Sequence, residues 1–427
     1  MSFSDLPRLW FALLILNLLP SPSIRANDFA LRDGDTVVFL GDSITAARTY
    51  GKFIENYTLL RYPNRKVRFI NAGFGGDTAE GGLKRLERDV FAHKATVLTV
   101  AFGMNDIGWG VYADEEHKRK YLDAVRGIVT ACRERGVRVY LCSAAVTGAD
   151  PAKSEESFLQ KMCDEGMALS KSLGGEAIDV QRSMRDIQKR VWGWNEKLKE
   201  INKNKDDAKQ DSLHAADGVH LNDLGQLAMA FAILKGLGAP ADVSSATLDF
   251  ADEKVMSSVG CEVSKISRDG ERLEFTRLDS GLPFNHGIFF ALHFRFVPVP
   301  SELNRYLLSV KNLPAGKYDV SADDRAVGSF TAAQLSEGVN IASTTGDAWQ
   351  PGGPWNAQAD ALVPLTNARS ELAVANLLSR LHLTAKPLVE ELAAATQPTN
   401  ERLEELQRLV AKPRPYRFVV QPAKVAK

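Results

Sequence analysis

Neither sign of charge prevails in this chain: 53 Lys and Arg face 53 Asp and Glu over 427 residues. A net charge of zero leaves no electrostatic footprint for nucleic acid or for an anionic membrane surface as partner. Cysteine is scarce, at Cys132, Cys142, Cys163 and Cys261 only. No pair has zinc-site spacing, and the first two fall in a predicted helix and a predicted strand, so buried free thiols are expected rather than disulfides. Long apolar runs are absent except near the N-terminus, and no internal repeat is visible.

That exception is the run at residues 9–19, preceded by Arg8, broken only by Asn17 and followed by Pro20-Ser21-Pro22-Ser23-Ile24-Arg25-Ala26. A cationic start, a short apolar core and small residues beyond it are the parts of a secretory signal. The run is too short to span a bilayer comfortably, so no stable membrane insertion is expected after cleavage at Ala26 or Ser23. Residues 1–26 are therefore read as a signal peptide and the mature protein as exported, periplasmic or secreted.

From residue 35 to about 238 the chain alternates two kinds of segment. Short runs rich in Val, Ile and Phe lie at 36–40, 67–71, 96–102, 137–143 and 177–180. They lack strict alternation, as expected of strands buried on both faces. Amphipathic segments at 50–60, 79–91, 115–135 and 155–173 separate them, and a helical segment at 224–237 closes the region. The pattern predicts an α/β fold, a parallel sheet with helices on both sides. The character changes at Gly238-Ala239-Pro240. Residues 241–345 read as a β-rich accessory region, with strands at 271–278, 306–310 and 317–320. Residues 346–427 read as helices followed by a basic, solvated tail from 412 onward.

Four motifs carry chemistry. Gly41-Asp42-Ser43-Ile44-Thr45 follows the first predicted strand, and Asn71-Ala72-Gly73-Phe74-Gly75-Gly76-Asp77-Thr78 follows the second. Gly103-Met104-Asn105-Asp106 follows the third, and Asp217-Gly218-Val219-His220 precedes the last helix of the region. Reactive groups of an open parallel sheet gather beyond the carboxyl ends of its strands, so these motifs should converge on one edge. A serine hydroxyl is a weak nucleophile until a base takes its proton, and imidazole titrates near neutral pH. Asp217, three residues before His220, is close enough in a turn to fix the ring tautomer. Candidate donors to a tetrahedral oxyanion are the N–H groups of Ser43 and Gly76 and the side-chain amide of Asn105.

The ordered set resembles the SGNH hydrolases, the GDSL esterase/lipase family. The resemblance covers about residues 35–238 and assigns a domain at 27–240. It implies a three-layer α/β/α sandwich of flavodoxin-like type, Ser43, Gly76, Asn105 and His220 as signature residues, and Asp217 as the third triad member. No Gly-x-Ser-x-Gly segment occurs, which disfavours the larger α/β-hydrolase family. The resemblance implies ester hydrolysis through an acyl-enzyme, with no metal or organic cofactor. The expected partner is a small-molecule or carbohydrate ester, with deacetylation of carbohydrate one form of it. The competing class is a noncatalytic polysaccharide-binding surface module on a hydrolase scaffold.

Each residue also has a plainer reading. Ser43 could simply cap a helix. Asp42 is expected to tie down its loop, and Asp77 and Glu80 stand at capping-box spacing. Asp106 could orient Asn105. Trp109 is read either as a pocket wall or as a core or rim residue, and Trp349 and Trp355 as candidates for a binding rim. Asp211-Ser212-Leu213-His214 is a second Asp-x-x-His. His220 is preferred because Leu221-Asn222 and Leu224-Gly225 after it resemble the stretch leading into the family's last helix.

Overall fold

The computed structural model describes residues 29–201, 210–346, 349–350 and 352–423. The expected signal peptide, 1–26, lies outside the described residues. Strands β1 (Thr36–Gly41), β2 (Arg68–Gly73), β3 (Val97–Ala101), β4 (Arg138–Cys142) and β5 (Glu176–Ile178) form a parallel sheet in the order β2-β1-β3-β4-β5. All of β1 is buried, Val37 and Phe39 facing one core and Val38 and Leu40 the other. This is why its sequence is a continuous apolar run rather than an alternating one.

Helices α1 (Ser43–Ala46) and α2 (Thr49–Arg61) follow β1, and α3 (Ala79–Lys84) and α4 (Leu86–Asp89) follow β2. Then come α5 (Glu115–Glu134) after β3, α6 (Phe158–Ser172) after β4, and α7 (Val180–Ile201) and α8 (Asp223–Gly236) after β5. Tyr50, Met184 and Leu227 join the core of Val37, whereas Ala79, Val125 and Met162 join that of Val38. Helices α2, α7 and α8 therefore cover one face and α3, α5 and α6 the other, which gives the expected three-layer sandwich. Helix α5 shows the local logic. Asp114 caps it by accepting from the His117 N–H, and Tyr121, Ala124, Val125, Ile128 and Cys132 form its buried stripe.

Three sequence expectations change. The helix expected over 79–91 is broken between α3 and α4 at Arg85, whose guanidinium turns inward to distant acceptors described below. The fifth strand ends at Ile178, and Val180 already begins α7. The basic tail is not solvated throughout: β14 (Tyr416–Pro422) lies between two other strands, with Tyr416, Phe418 and Val420 buried.

Beyond residue 240 stand β6 (Asp242–Asp249), β7 (Lys254–Val259), β8 (Cys261–Asp269), β9 (Arg272–Asp279) and the short α9 (Val299–Glu302). They continue into β10 (Arg305–Lys311), β11 (Lys317–Ala322), β12 (Arg325–Thr331), α10 (Ala332–Glu337) and β13 (Val339–Asn340). One sheet has the order β13-β10-β6-β7 and the other β12-β11-β14-β9-β8. A helical hairpin, α11 (Pro354–His382) and α12 (Lys386–Ala411), precedes β14. Trp355, a candidate rim residue on sequence, is fully buried, stacks on Phe418 and donates to the Ala342 carbonyl at 3.0 Å.

These elements share a core with the parallel-sheet region, since Leu248, Phe275, Tyr306 and Phe418 belong to the same buried cluster as Val37 and Tyr50. Helix α2 is the seam. Phe53 meets Phe284 edge to face at 6.3 Å, and burial of each such ring contributes about 1.5–3 kcal/mol. The Arg61 guanidinium donates to the carbonyls of Asp242 and Leu303, and Glu55 accepts from Arg369 and from Gln407. Among the described residues, no helix is long and apolar enough to cross a membrane, and all four cysteines are free thiols.

Candidate active site

The strand order reverses between β1 and β3, so the loops after these strands diverge and leave a crevice at their carboxyl ends. Ser43 stands there as the first residue of α1, directly after Asp42. Asp42 Oδ1 accepts from the Ile44 N–H at 3.0 Å, which caps the short helix and matches the loop-tying role expected of it. Burial pushes this carboxyl up to about 6, against the pull of the Ile44 N–H and the His220 ring.

The final motif reaches the same point. His220 Nε2 lies 2.9 Å from Ser43 Oγ, and His220 Nδ1 lies 2.6 Å from Asp217 Oδ2. Asp217 Oδ1 also accepts from the Val219 and His220 N–H groups, each at 2.9 Å, so the Asp-x-x-His turn is closed by its own carboxylate. The hydrogen bond from His220, helped by those two N–H groups, holds Asp217 down at about 2. The rival pair is elsewhere: His214 is 7% exposed, with Nε2 2.8 Å from the Val146 carbonyl, and Asp211 pairs with Arg295 at 2.7 Å. Burial lowers the His214 pKa.

The second motif turns at Phe74-Gly75-Gly76. Gly76 has φ +73°, a left-handed conformation that favours glycine, and open space surrounds it where a Cβ would stand. Gly73 is required by close approach instead, since a Cβ there would lie 2.2 Å from the Ala46 N of α1. The N–H groups of Ser43 and Gly76 donate to no described residue and remain available to a ligand. Asn105 Nδ2 donates to the Asp77 carbonyl at 2.9 Å, which ties the third motif to the second.

Trp109 completes this constellation. Its indole Nε1–H donates to Asn105 Oδ1 at 2.9 Å, and its ring stands edge-on to His220 at 5.6 Å. Because Oδ1 accepts, the amide orientation that presents Nδ2 is fixed. The residue is 47% exposed and sits at φ +58°, a costly conformation for a bulky side chain. Asp106 does not orient Asn105. Its Oδ1 accepts from the Ala79 N–H at 2.9 Å at the start of α3, its Oδ2 has no partner, and burial pushes the carboxyl up to about 7.

Arg85 is the supporting residue that sequence reading missed. It donates to Asp77 Oδ2 at 2.7 Å, to the Ala72 carbonyl at 2.5 Å and to the Gly41 carbonyl at 3.0 Å, and it pairs with Asp89. One guanidinium thus clamps the ends of β1 and β2 to the second motif. The capping box expected of Asp77 and Glu80 is replaced by Thr78, which accepts from the Gly81 N–H, while Glu80 pairs with Lys84. Among the described residues, no three His, Cys, Asp or Glu side chains are grouped to hold a metal ion.

Comparison with known proteins agrees with this architecture. No curated protein matches the chain significantly. BT4096, a gut microbial diltiazem-metabolizing enzyme, shares 23% identity and a TM-score of 0.75 over 92% of this chain and 98% of its own, so the two share a fold over most of their length. Axe2, an acetylxylan esterase from Geobacillus stearothermophilus, aligns at 19% identity and a TM-score of 0.38, over 49% of this chain and 96% of its own. The family model of the GDSL-like lipase/acylhydrolases matches residues 39–228, the span that contains all four motifs. Residues 39–228 thus form a GDSL-like lipase/acylhydrolase domain, and the likeness to that family rests on this span.

Proposed function

We propose that this hydrolase is a serine esterase with Ser43 as nucleophile, His220 as general base and Asp217 as the group that orients the imidazole. The chief support is the pair of contacts from Ser43 Oγ to His220 Nε2 at 2.9 Å and from His220 Nδ1 to Asp217 Oδ2 at 2.6 Å. A carboxylate only accepts, so Nδ1 carries the ring proton and Nε2 is left to accept from the serine hydroxyl.

In the proposed reaction, Oγ bonds to the ester carbonyl carbon as its proton passes to Nε2. The carbonyl oxygen becomes an oxyanion, with the Ser43 and Gly76 N–H groups and Asn105 Nδ2 as its proposed donors. Collapse breaks the bond to the alcohol, which leaves with the proton from Nε2, and acyl-Ser43 remains. Water then repeats the sequence, delivering its proton to Nε2 and releasing the acid.

The proposed substrate is a small acyl ester, in particular an acetyl group on a carbohydrate, met after export. Export is supported by the cationic start and apolar run of residues 8–19, and the carbohydrate by the β-rich region joined to the domain. A series of p-nitrophenyl acetate, butyrate and octanoate, run beside acetylated sugars, tests this. The expected order places acetate highest in kcat/KM, with turnover of folded Ser43→Ala down by at least about 10³-fold. Preference for octanoate would sink the small-acyl reading, and unchanged turnover in the variant would sink the serine mechanism.

A further inference from the structure

A sizeable cavity lies away from Ser43. It has a volume of about 440 Å³, within the usual range for small-molecule sites, and is enclosed by α2, the edge strand β2 and the α11–α12 hairpin. None of Ser43, Gly76, Asn105, Asp217 and His220 lines it. It follows β2 from Arg68 to Gly73, a path of roughly 16 Å at the usual rise of a strand, and its upper end is walled by Phe74.

The charges on its wall are unevenly matched. Arg85, Arg88 and Arg369 are each paired with a carboxylate, and those pairs account for the wall's Asp89, Glu55 and Glu404. Lys52 donates to Asn367 at 2.8 Å. The guanidinium groups of Arg48, Arg68 and Arg380 form no hydrogen bond or ion pair with a described residue. Glu371 acts on Arg48 and Lys52 only through longer-range attraction. His93 is held towards its neutral form by burial, with Arg380 and Arg68 adding to that effect and Asp89 opposing it.

Arg48 is the most telling of the three. It sits at φ +65°, the left-handed conformation that disfavours a residue with a Cβ, and its side chain makes no cap bond to α2. Its guanidinium is nevertheless withdrawn from bulk water onto the cavity wall, where burial lowers its pKa. A half-buried cation without an acceptor is unfavourable unless a ligand supplies one. Phe69, Phe74 and Leu377 supply apolar surface along the same wall.

We infer that this cavity binds an elongated organic anion, an acidic group on an apolar body, held by Arg48 at one end or by Arg68 and Arg380 at the other. None of the proposed esterase residues lines the site, so a binding readout tests it without turnover. Titration calorimetry of the full chain with naphthalene-2-sulfonate, against neutral 2-naphthol, is the direct experiment. The expected result is saturable binding of one sulfonate per chain, at least about 10-fold tighter than 2-naphthol, unchanged in Ser43→Ala. Arg48→Gln or the pair Arg68→Gln/Arg380→Gln should weaken it by about 10-fold or more, with folding checked by circular dichroism. Arg68 and Arg380 are exposed at the mouth, so that pair keeps the test open if Arg48→Gln unfolds. Absent binding, equal affinity for the neutral analogue, binding indifferent to both sets of variants, or binding lost in Ser43→Ala would each overturn the proposal.

Discussion

The indole N–H of Trp109 donates to Asn105 Oδ1 at 2.9 Å, while the same ring stands edge-on to His220 at 5.6 Å. One exposed side chain thereby touches both the proposed oxyanion donor and the proposed base. Asn105→Ala should lower kcat by about 10²–10³ with little change in KM, as when an oxyanion donor is lost. Trp109→Phe keeps an aromatic ring beside His220 but removes the N–H, so kcat should fall by roughly 10-fold at similar KM. In the Asn105→Ala background, Trp109→Phe should have almost no further effect, because the two residues act as a unit. Additive losses in the double variant would separate Trp109 from Asn105.

The two histidines are told apart by their partners. His220→Ala should abolish nearly all turnover, because Nε2 is the only acceptor beside Ser43 Oγ among the described residues. His214→Ala removes a buried contact to the Val146 carbonyl instead, so it should lower stability by roughly 1–2 kcal/mol and leave kcat within a few-fold. Asp217→Asn should impair turnover strongly, and Asp211→Asn only mildly, since Asp211 is engaged by Arg295. Kinetics of the four folded variants on one small ester check this. Reversal of either comparison would move the base to His214.

Asp106 gives a pH signature in stability. Its carboxyl is raised to about 7 by burial, against about 3.9 in an unfolded chain. Between those values the unfolded chain has released the proton while the folded chain retains it, so this group's contribution to stability falls as pH rises. Asp106→Asn removes the titration and still offers an acceptor to the Ala79 N–H. The difference in unfolding free energy, variant minus parent, should therefore grow in the variant's favour from pH 4 to pH 8, reaching on the order of 1–3 kcal/mol. A difference that stays flat across that range would show that Asp106 is ionised in the fold throughout.

What the sequence made legible follows from range. The run of β1 is apolar at every position because both faces are covered, and the motifs after β1, β2 and β3 reach one edge because the strands are parallel. His220 was preferred over His214 on the residues that follow it, and in the structure the His220 ring meets Ser43 whereas the His214 ring meets the Val146 carbonyl. Arg85 was not legible, since its acceptors at Gly41 and Ala72 are remote in sequence and backbone carbonyls leave no pattern. The strand β14 was hidden by local charge. Its basic residues suggested a solvated tail, yet Tyr416, Phe418 and Val420 alternate inward, and their pairing strands β9 and β11 lie far upstream. Trp355 was misplaced for the same reason: the Phe418 ring it stacks on comes from that strand.

The central claim is that Ser43 is a nucleophile activated by His220. A fluorophosphonate probe, followed by peptide mass spectrometry, tests it most directly, because only an activated serine displaces the leaving group at phosphorus and keeps the phosphonyl adduct. The account requires one adduct per chain, on Ser43, with labelling lost in Ser43→Ala, slowed by orders of magnitude in His220→Ala and unchanged within a few-fold in His214→Ala. A folded protein that stays unlabelled would contradict it and favour a noncatalytic polysaccharide-binding module on a hydrolase scaffold, and a label on another serine would contradict it by moving the nucleophile away from Ser43.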